Sequence, residues 1–438
     1  MLDIKFCREN PDEVRKSLKK RHDSEKQKWF EDLLAKDEEW RKINIQVEEL
    51  RARRNSISRE INEAKKKGDE RKAKALLKEA SEIPDKIKIA EAQTQALKEK
   101  TDFYLARLPN TLHESVPYGK GEEDNKEIKT WGKPHKPDFL MRTHEQIAED
   151  LGGADFERAA KISGRGFVFL KGKIALLERA LARFAVTNLM EKGFEFVLPP
   201  LMLNRDAYAA VTDLDDFEKV MYKIEGDEKF LIATSEHPLI AQYKDEVLEE
   251  SSLPIKIVSF SPCFRREIGA HGVDTKGLFR MHQFEKVEQV VLCTSEESEE
   301  WHEKLLENTE ELWRKLEIPY RIVNICTGDI GTVAAKKYDL EAWFPREQKY
   351  SEVCSLSNCT NYQSIGLNLK YRCGKQGSKE ERKEWVHTLN ATALATSSRT
   401  LRAILENYQE KDGSITIPKA LRSYTGFNEI TMPGKKER

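Results

Sequence analysis

Phe264-Arg265-Arg266-Glu267, then a loop with three glycines, then Phe279-Arg280-Met281-His282-Gln283-Phe284-Glu285-Lys286-Val287-Glu288 decides how this chain is read. Sheet-forming residues flank both segments: Phe260 on one side, Val287, Val290, Val291 and Leu292 on the other. Two strands joined by that loop form an antiparallel hairpin carrying Arg265, Glu267, Arg280, Phe284 and Glu288. Alternation along the second strand predicts Arg280, Phe284 and Glu288 on one face. Guanidiniums grip phosphate bidentately, an aromatic ring stacks on a base, and a carboxylate meets an ammonium. Such a sheet suits a nucleoside triphosphate together with an amino acid.

Outward from the hairpin, the body mixes helices (near 143–152, 171–192, 295–315 and 399–410) with strands (near 194–198, 256–262, 280–292, 320–325, 338–344 and 385–395). They do not alternate as βαβ units. The expected class is α+β: an antiparallel sheet flanked by helices, preceded by an antiparallel coiled coil.

That coiled coil lies within residues 26–104, which hold one proline, Pro84, and one glycine, Gly68. Leu33, Trp40, Val47, Arg54 and Ile61 form one heptad column, and Lys36, Ile43, Leu50, Ile57 and Ala64 the other. Beyond Gly68-Asp69 the pattern resumes through Ala73, Leu76, Ala80, Ile83, Ile87 and Ala90. Each arm of about 35–40 residues extends ~50–60 Å at 1.5 Å per residue. Pro84 is expected to kink the return helix, because it lacks a backbone donor.

Arg51, Arg53, Arg54, Arg59, Lys65, Lys66, Lys67, Arg71, Lys72, Lys74 and Lys78 face only four acidic residues in the same stretch. By charge alone this is either a solvated helical surface or a phosphate-binding tip. It has no aromatics for stacking, so as a tip it fits the shape of double-stranded RNA. The boundaries predicted are 1–108 for an N-terminal domain carrying the coiled coil, 109–134 for a Pro/Gly-rich linker, and 135–438 for the α+β body.

The whole chain has 438 residues, with 75 basic against 76 acidic. No overall field points to a polyanion, so any such surface is local, and no DNA partner is expected. Seven cysteines without a Cys-x-x-Cys pair suit a reducing, cytoplasmic setting. No apolar run approaches a membrane span, and the N-terminus has no signal-like core.

Three more segments carry polar chemistry. Thr234-Ser235-Glu236 offers a hydroxyl and a carboxylate to an amino group, although Thr234 or Ser235 equally suits a helix cap. Glu352-Val353-Cys354-Ser355 presents oxygen donors for a hard cation. Asn390, Thr392 and Arg399 lead into a helix whose N-terminus attracts phosphate.

Together these segments resemble the seryl-tRNA synthetases of class II. Arg265 to Glu288 is similar to their motif 2, Leu389 to Gln409 to motif 3, and the segment ending at Pro200 to motif 1. Pro109-Asn110 through Gly119-Lys120 resembles a linker signature of the same family, and the coiled coil its tRNA-binding arm. The resemblance implies a homodimer, ATP and Mg²⁺, L-serine, and tRNA(Ser), with tRNA(Sec) as a second candidate acceptor. It implies formation of seryl-adenylate and transfer of the seryl group to tRNA.

By position, the resemblance gives Arg265 the α-phosphate and the serine carboxylate. Arg280 and Arg399 take the outer phosphates, and these three arginines are the catalytic set. Arg266, Glu267, Met281 and Phe284 form the nucleotide site together with Glu352, Val353, Cys354 and Ser355, and Phe284 stacks on adenine. Glu352 and Ser355 hold magnesium. Thr234, Ser235, Glu236, Glu288, Asn390 and Thr392 enclose serine. A site that hydrogen-bonds a hydroxyl rejects alanine strongly, whereas the extra methyl of threonine is worth only about 1–3 kcal/mol.

Two places depart from the family pattern. Ser364-Ile365-Gly366 replaces a small residue and paired arginines, leaving Lys370 or Arg372 as candidates for the replaced contact. The run from Thr392 to Arg399 is one residue longer. The alternative function is a non-catalytic, synthetase-like RNA-binding or regulatory protein, which has no physical need for Arg265, Arg280, Arg399 and Glu352 together.

Overall fold

The computed structural model describes residues 1–213, 220–267, 277–374, 377–378 and 381–434, which form two compact units, 2–108 and 109–438 together with Met1. In the first unit, α1 (Ile4–Glu9) and α2 (Pro11–Lys20) precede two long helices, α3 (Ser24–Lys66) and α4 (Glu70–Arg107). Asp23 caps α3 by accepting from the amides of Glu25 and Lys26, and Asp69 caps α4 by accepting from that of Lys72. Gly68, at φ 71°, makes the turn between them where the heptads break.

The seam buries Ile57, Ile61 and Ala64 against Ala73, Leu76, Ile83 and Ile87. Arg54, placed in an apolar column by the heptad, is exposed instead. α4 continues through Pro84 as one helix. Buried Asp37 accepts from Arg8 and Arg41, fastening α1 to α3, and Tyr104 donates to Asp32 at 2.6 Å, fastening α4.

The second unit is built on an eight-stranded sheet. Its strands are β1 (Lys126–Trp131), β2 (Glu195–Phe196), β3 (Ile255–Phe264), β4 (Gln283–Cys293), β5 (Tyr320–Asn324), β6 (Lys336–Phe344), β7 (Lys349–Asn358) and β8 (His387–Leu394). The spatial order is β1-β5-β6-β7-β8-β4-β3-β2. Every pairing is antiparallel except the short parallel contact of β2 with β3.

Helices α5 (His144–Asp150), α6 (Gly172–Glu191), α7 (Arg205–Val211), α8 (Glu236–Ala241), α9 (Ser298–Lys315), α10 (Tyr362–Leu367) and α11 (Arg399–Asn407) flank this sheet. On β4, Val287, Val291 and Cys293 enter the main core, while Val290 and Leu292 enter a smaller core on the opposite face. Both faces of this end of the central strand are therefore covered, which is why Val290–Cys293 reads as continuous apolar sequence.

Several strands lie outside those expected from the sequence. β1 lies inside the segment 109–134, where polar composition and flanking turn residues hide an edge strand. Asn110 joins that segment to the body through the carbonyls of Val333 and Cys359. The strand expected at 385–395 is β8, whereas the short strand Arg382–Trp385 before it, part of a separate three-stranded sheet, was not expected. β7 was not expected as a strand.

Candidate active site

The ends of β3, β4, β7 and β8 and the start of α11 converge on a cavity of about 450 Å³. The hairpin pairs Ser259 with Glu288 and Cys263 with Phe284, so Arg265 emerges where β3 ends. The Arg265 guanidinium carbon lies 5.2 Å from the Phe284 ring centre, and its Nε donates to the Ala233 carbonyl.

Phe284, Lys286 and Glu288 line the cavity at period two. Arg280 also lines it, but from the turn before β4, not by strand alternation. Its guanidinium is 3.9 Å from Glu267. The glycine-rich loop falls largely at 268–276, outside the described residues. Its last glycine, Gly277, has φ 71° and packs so closely on His144 and Glu145 that a Cβ would collide with both.

At the end bearing Arg399, Glu352 and Ser355 both face the cavity although they are three residues apart. A regular strand would put them on opposite faces. In β7, Glu352 stands opposite Glu341 and Cys354 opposite Leu340, so Val353 is an inserted bulge residue that brings them together. Arg399, the first residue of α11, pairs with Glu352 at 2.6 Å. Phe279 lies within cation–π range of Arg399 (5.3 Å) and Arg402 (4.8 Å).

Burial alone would raise the Glu352 carboxyl, but Arg399 and Lys337 hold it below its ordinary value. Asp339, opposite Ser355, is pushed upward by burial and further by Glu352. An ionised carboxylate beside a hydroxyl is a donor set suited to a hard divalent cation.

At the other end, Thr234, Glu236, Lys286, Glu288, Asn390 and Thr392 form a compact polar group. Lys286 donates to the Thr234 hydroxyl at 2.8 Å and forms an ion pair with Glu288. Thr392 donates to Glu288 at 3.3 Å. Glu236 opens α8 and accepts from Gln363 at 2.7 Å; Gln363 in turn accepts from Thr388. Burial, with Glu288 adding to it, pushes Glu236 up to about 7, and burial also raises Glu288.

β8 carries an extra residue at Ala393, between the pairs Thr392–Glu288 and Leu394–Val287. The longer run before Arg399 thus coincides with a bulge, and Thr392 keeps its place opposite Glu288.

Several expected residues lie outside this cavity. Ser235 is fully buried just before α8 and makes no side-chain cap. Arg266 uses its amide to bond Val220. Cys354 points into the core, with its sulfur 3.3 Å from Trp313 Nε1. Ser364 and Gly366 belong to α10, where a Cβ on Gly366 would come within 2.6 Å of the Ala210 carbonyl of α7. Paired arginines do not fit there. Arg372 pairs with Glu249 and Glu381, and Lys370 lies over Trp385, so neither supplies the replaced contact in the cavity.

The sequence reading missed Lys286, Lys337, Phe279 and Gln363. Period two should have added Lys286 once Phe284 and Glu288 were chosen. Lys337 and Gln363 reach the site only through the sheet order.

On the arm, Arg53 is held by Glu79 and Glu60, and Arg51 by Glu48 and Glu91. Arg54, Arg59, Lys65, Lys66, Lys67, Arg71, Lys72, Lys74 and Lys78 are exposed, and none forms an ion pair among the described residues.

Residues 219–408 match the tRNA synthetase class II core domain (G, H, P, S and T), and residues 1–112 match the seryl-tRNA synthetase N-terminal domain. The chain is 57% identical to the serine–tRNA ligase of Methanospirillum hungatei over 432 residues, 98% of this chain and all of the relative. This chain belongs to the seryl-tRNA synthetase family. A crystal structure of seryl-tRNA synthetase from Pyrococcus horikoshii complexed with ATP superposes with a TM-score of 0.94 at 48% identity, covering 99% of this chain and 100% of that one. A cytoplasmic serine–tRNA ligase from Naegleria fowleri in complex with AMP gives 0.86 at 34% identity, covering 99% of each chain. The cavity described above thus lies in the catalytic domain common to the family.

Proposed function

We propose that this chain is an ATP-dependent serine–tRNA ligase. The observation that carries the reading is one cavity holding Arg265, Arg280 and Arg399 beside a polar group of Thr234, Glu236, Glu288 and Thr392. An oxygen of the serine carboxylate attacks the α-phosphorus of ATP, the bond to the β-phosphate oxygen breaks, and pyrophosphate leaves. The terminal ribose hydroxyl of tRNA(Ser) then attacks the seryl carbonyl, releasing AMP.

Charge accumulates on phosphate oxygens during the first step, so arginines already in place lower its barrier without a proton-transfer group. Arg265, between the two ends, orients the carboxylate towards the α-phosphate. Phe284 offers its face to adenine. Glu236 receives the α-ammonium, and Glu288 with Thr392 receives the hydroxyl. Glu352 and Ser355 fit magnesium, which would neutralise phosphate charge when bound.

Exposed Leu176 and Met190 on α6, with Leu198, Leu201 and Met202 beyond β2, support association of two copies through the segment resembling motif 1. The nine exposed cations of the arm, which have no ion-pair partner among the described residues, suit the backbone of tRNA. Among the described residues no helix is long and apolar enough to cross a membrane, and a cytoplasmic location accords with the proposed activity. Charging of tRNA(Ser) and tRNA(Sec) transcripts with radiolabelled serine tests the proposal. Serine esterified to tRNA(Ser) is expected, and no charging of either transcript would overturn it.

A further inference from the structure

We infer that Lys286 is a specificity-determining positioning residue: its ammonium holds Glu288 as the acceptor for the serine hydroxyl and balances the paired carboxylates of the amino-acid subsite. This inference rests on the reading of that subsite as the serine site.

Lys286 is only 6% exposed, and a buried ammonium needs partners. It has Thr234 Oγ1 at 2.8 Å and the carboxylate of Glu288. No phosphate-binding role accounts for it, because both partners belong to the amino-acid end of the cavity. The groups facing it are Thr234, Glu236 and His237 around the start of α8, Cys263 and Arg265 at the end of β3, Glu288 on its own strand, and, through Glu288, Thr392 on β8. Burial depresses His237 to about 3, so its ring adds no positive charge at neutral pH.

The charge count is then simple. Above pH 7, where Glu236 is ionised, Glu236 and Glu288 contribute two negative charges, and Lys286 and Arg265 two positive. Zwitterionic serine adds one of each, so the occupied subsite stays neutral. Without Lys286, two neighbouring carboxylates share one guanidinium, and one of them retains a proton to higher pH. A protonated Glu288 is no longer free to accept from the hydroxyl on both oxygens. A protonated Glu236 no longer pairs with the ammonium. Either change weakens serine specifically and leaves the adenine and outer-phosphate contacts alone.

The test compares wild type, Lys286→Gln and Lys286→Arg by ATP–pyrophosphate exchange, with L-serine and ATP varied separately between pH 6 and 9. In Lys286→Gln the serine KM should rise roughly 10- to 100-fold, the scale of one charged hydrogen bond removed from a buried site. The ATP KM should remain within about twofold, well inside that scale. The steep pH dependence of serine KM should move upward by about one unit, as expected for an uncompensated carboxylate neighbour. Lys286→Arg, which restores the cation, should recover part of the serine affinity and the original pH profile.

Two outcomes overturn the inference. One is a Lys286→Gln enzyme with wild-type serine KM and pH profile. The other is a loss falling equally on serine and ATP in both variants, which would mark Lys286 as a packing residue. If wild type itself supports no serine-dependent exchange, it is the functional reading that fails.

Discussion

The coiled-coil arm and the cavity are both rich in charge, but they use it in opposite ways. On the arm, charges stand in water at the rim of an apolar seam, and nine cations make no ion pair among the described residues. In the cavity, charges are drawn from the end of β3 and from β4, β6, β7, α8 and α11, and burial or close neighbours shift several of them. Exposed charge is screened and cheap to keep. Buried charge persists only when matched, so an arrangement of matched charges marks where chemistry occurs. Substitutions on the arm should therefore cost activation little, and substitutions in the cavity much.

Changes in the cavity should separate the two regions most sharply. Arg265→Ala or Arg399→Ala should lower serine-dependent exchange by about 10²–10³-fold or more, as for other preplaced donors to developing charge. Circular dichroism should show the fold retained. Next, Glu288→Gln should raise the serine KM by roughly 10- to 100-fold, with ATP KM nearly constant in the same assay.

The pH response has a definite sign. In its proposed role Glu236 pairs with the α-ammonium only when ionised, and burial has pushed it up to about 7. Serine KM should therefore rise as pH drops below that value, approaching about tenfold per unit, while ATP KM changes less. Glu236→Gln should remove this dependence.

Changes on the arm should be smaller and of another kind. Replacing Lys65, Lys66, Lys67 and Arg71 by Gln should leave exchange intact, raise the KM for tRNA and make charging less sensitive to salt. Equal loss of exchange and charging would erase the distinction between the regions. The smallest effect is expected from Arg53→Met, whose cation is already occupied by Glu60 and Glu79. It should leave both exchange and tRNA charging within experimental error.

The regions also differ in how much the sequence disclosed. The arm is local: heptads and Gly68 place its helices within a few residues, and the Asp caps, the exposure of Arg54 and the continuity through Pro84 needed the structure. The hairpin was legible too, since Phe284 and Glu288 obey alternation. What escaped depends on distant pairing. Nothing in Glu352-Val353-Cys354-Ser355 announces that Val353 bulges, yet that bulge turns Ser355 into the cavity and Cys354 into the core. Gln363 reaches Glu236 only because α10 packs on α7 and the start of β8. The edge strand β1 escaped because its residues are almost all exposed and carry no apolar alternation.

The account stands on a cavity that joins ATP to one small hydroxylated amino acid. Pyrophosphate exchange measured with each of the twenty amino acids in turn tests this most directly. Exchange with serine is predicted, with alanine and glycine reduced by orders of magnitude and threonine less severely excluded. Exchange with no amino acid, or a clear preference for one other than serine, would contradict it.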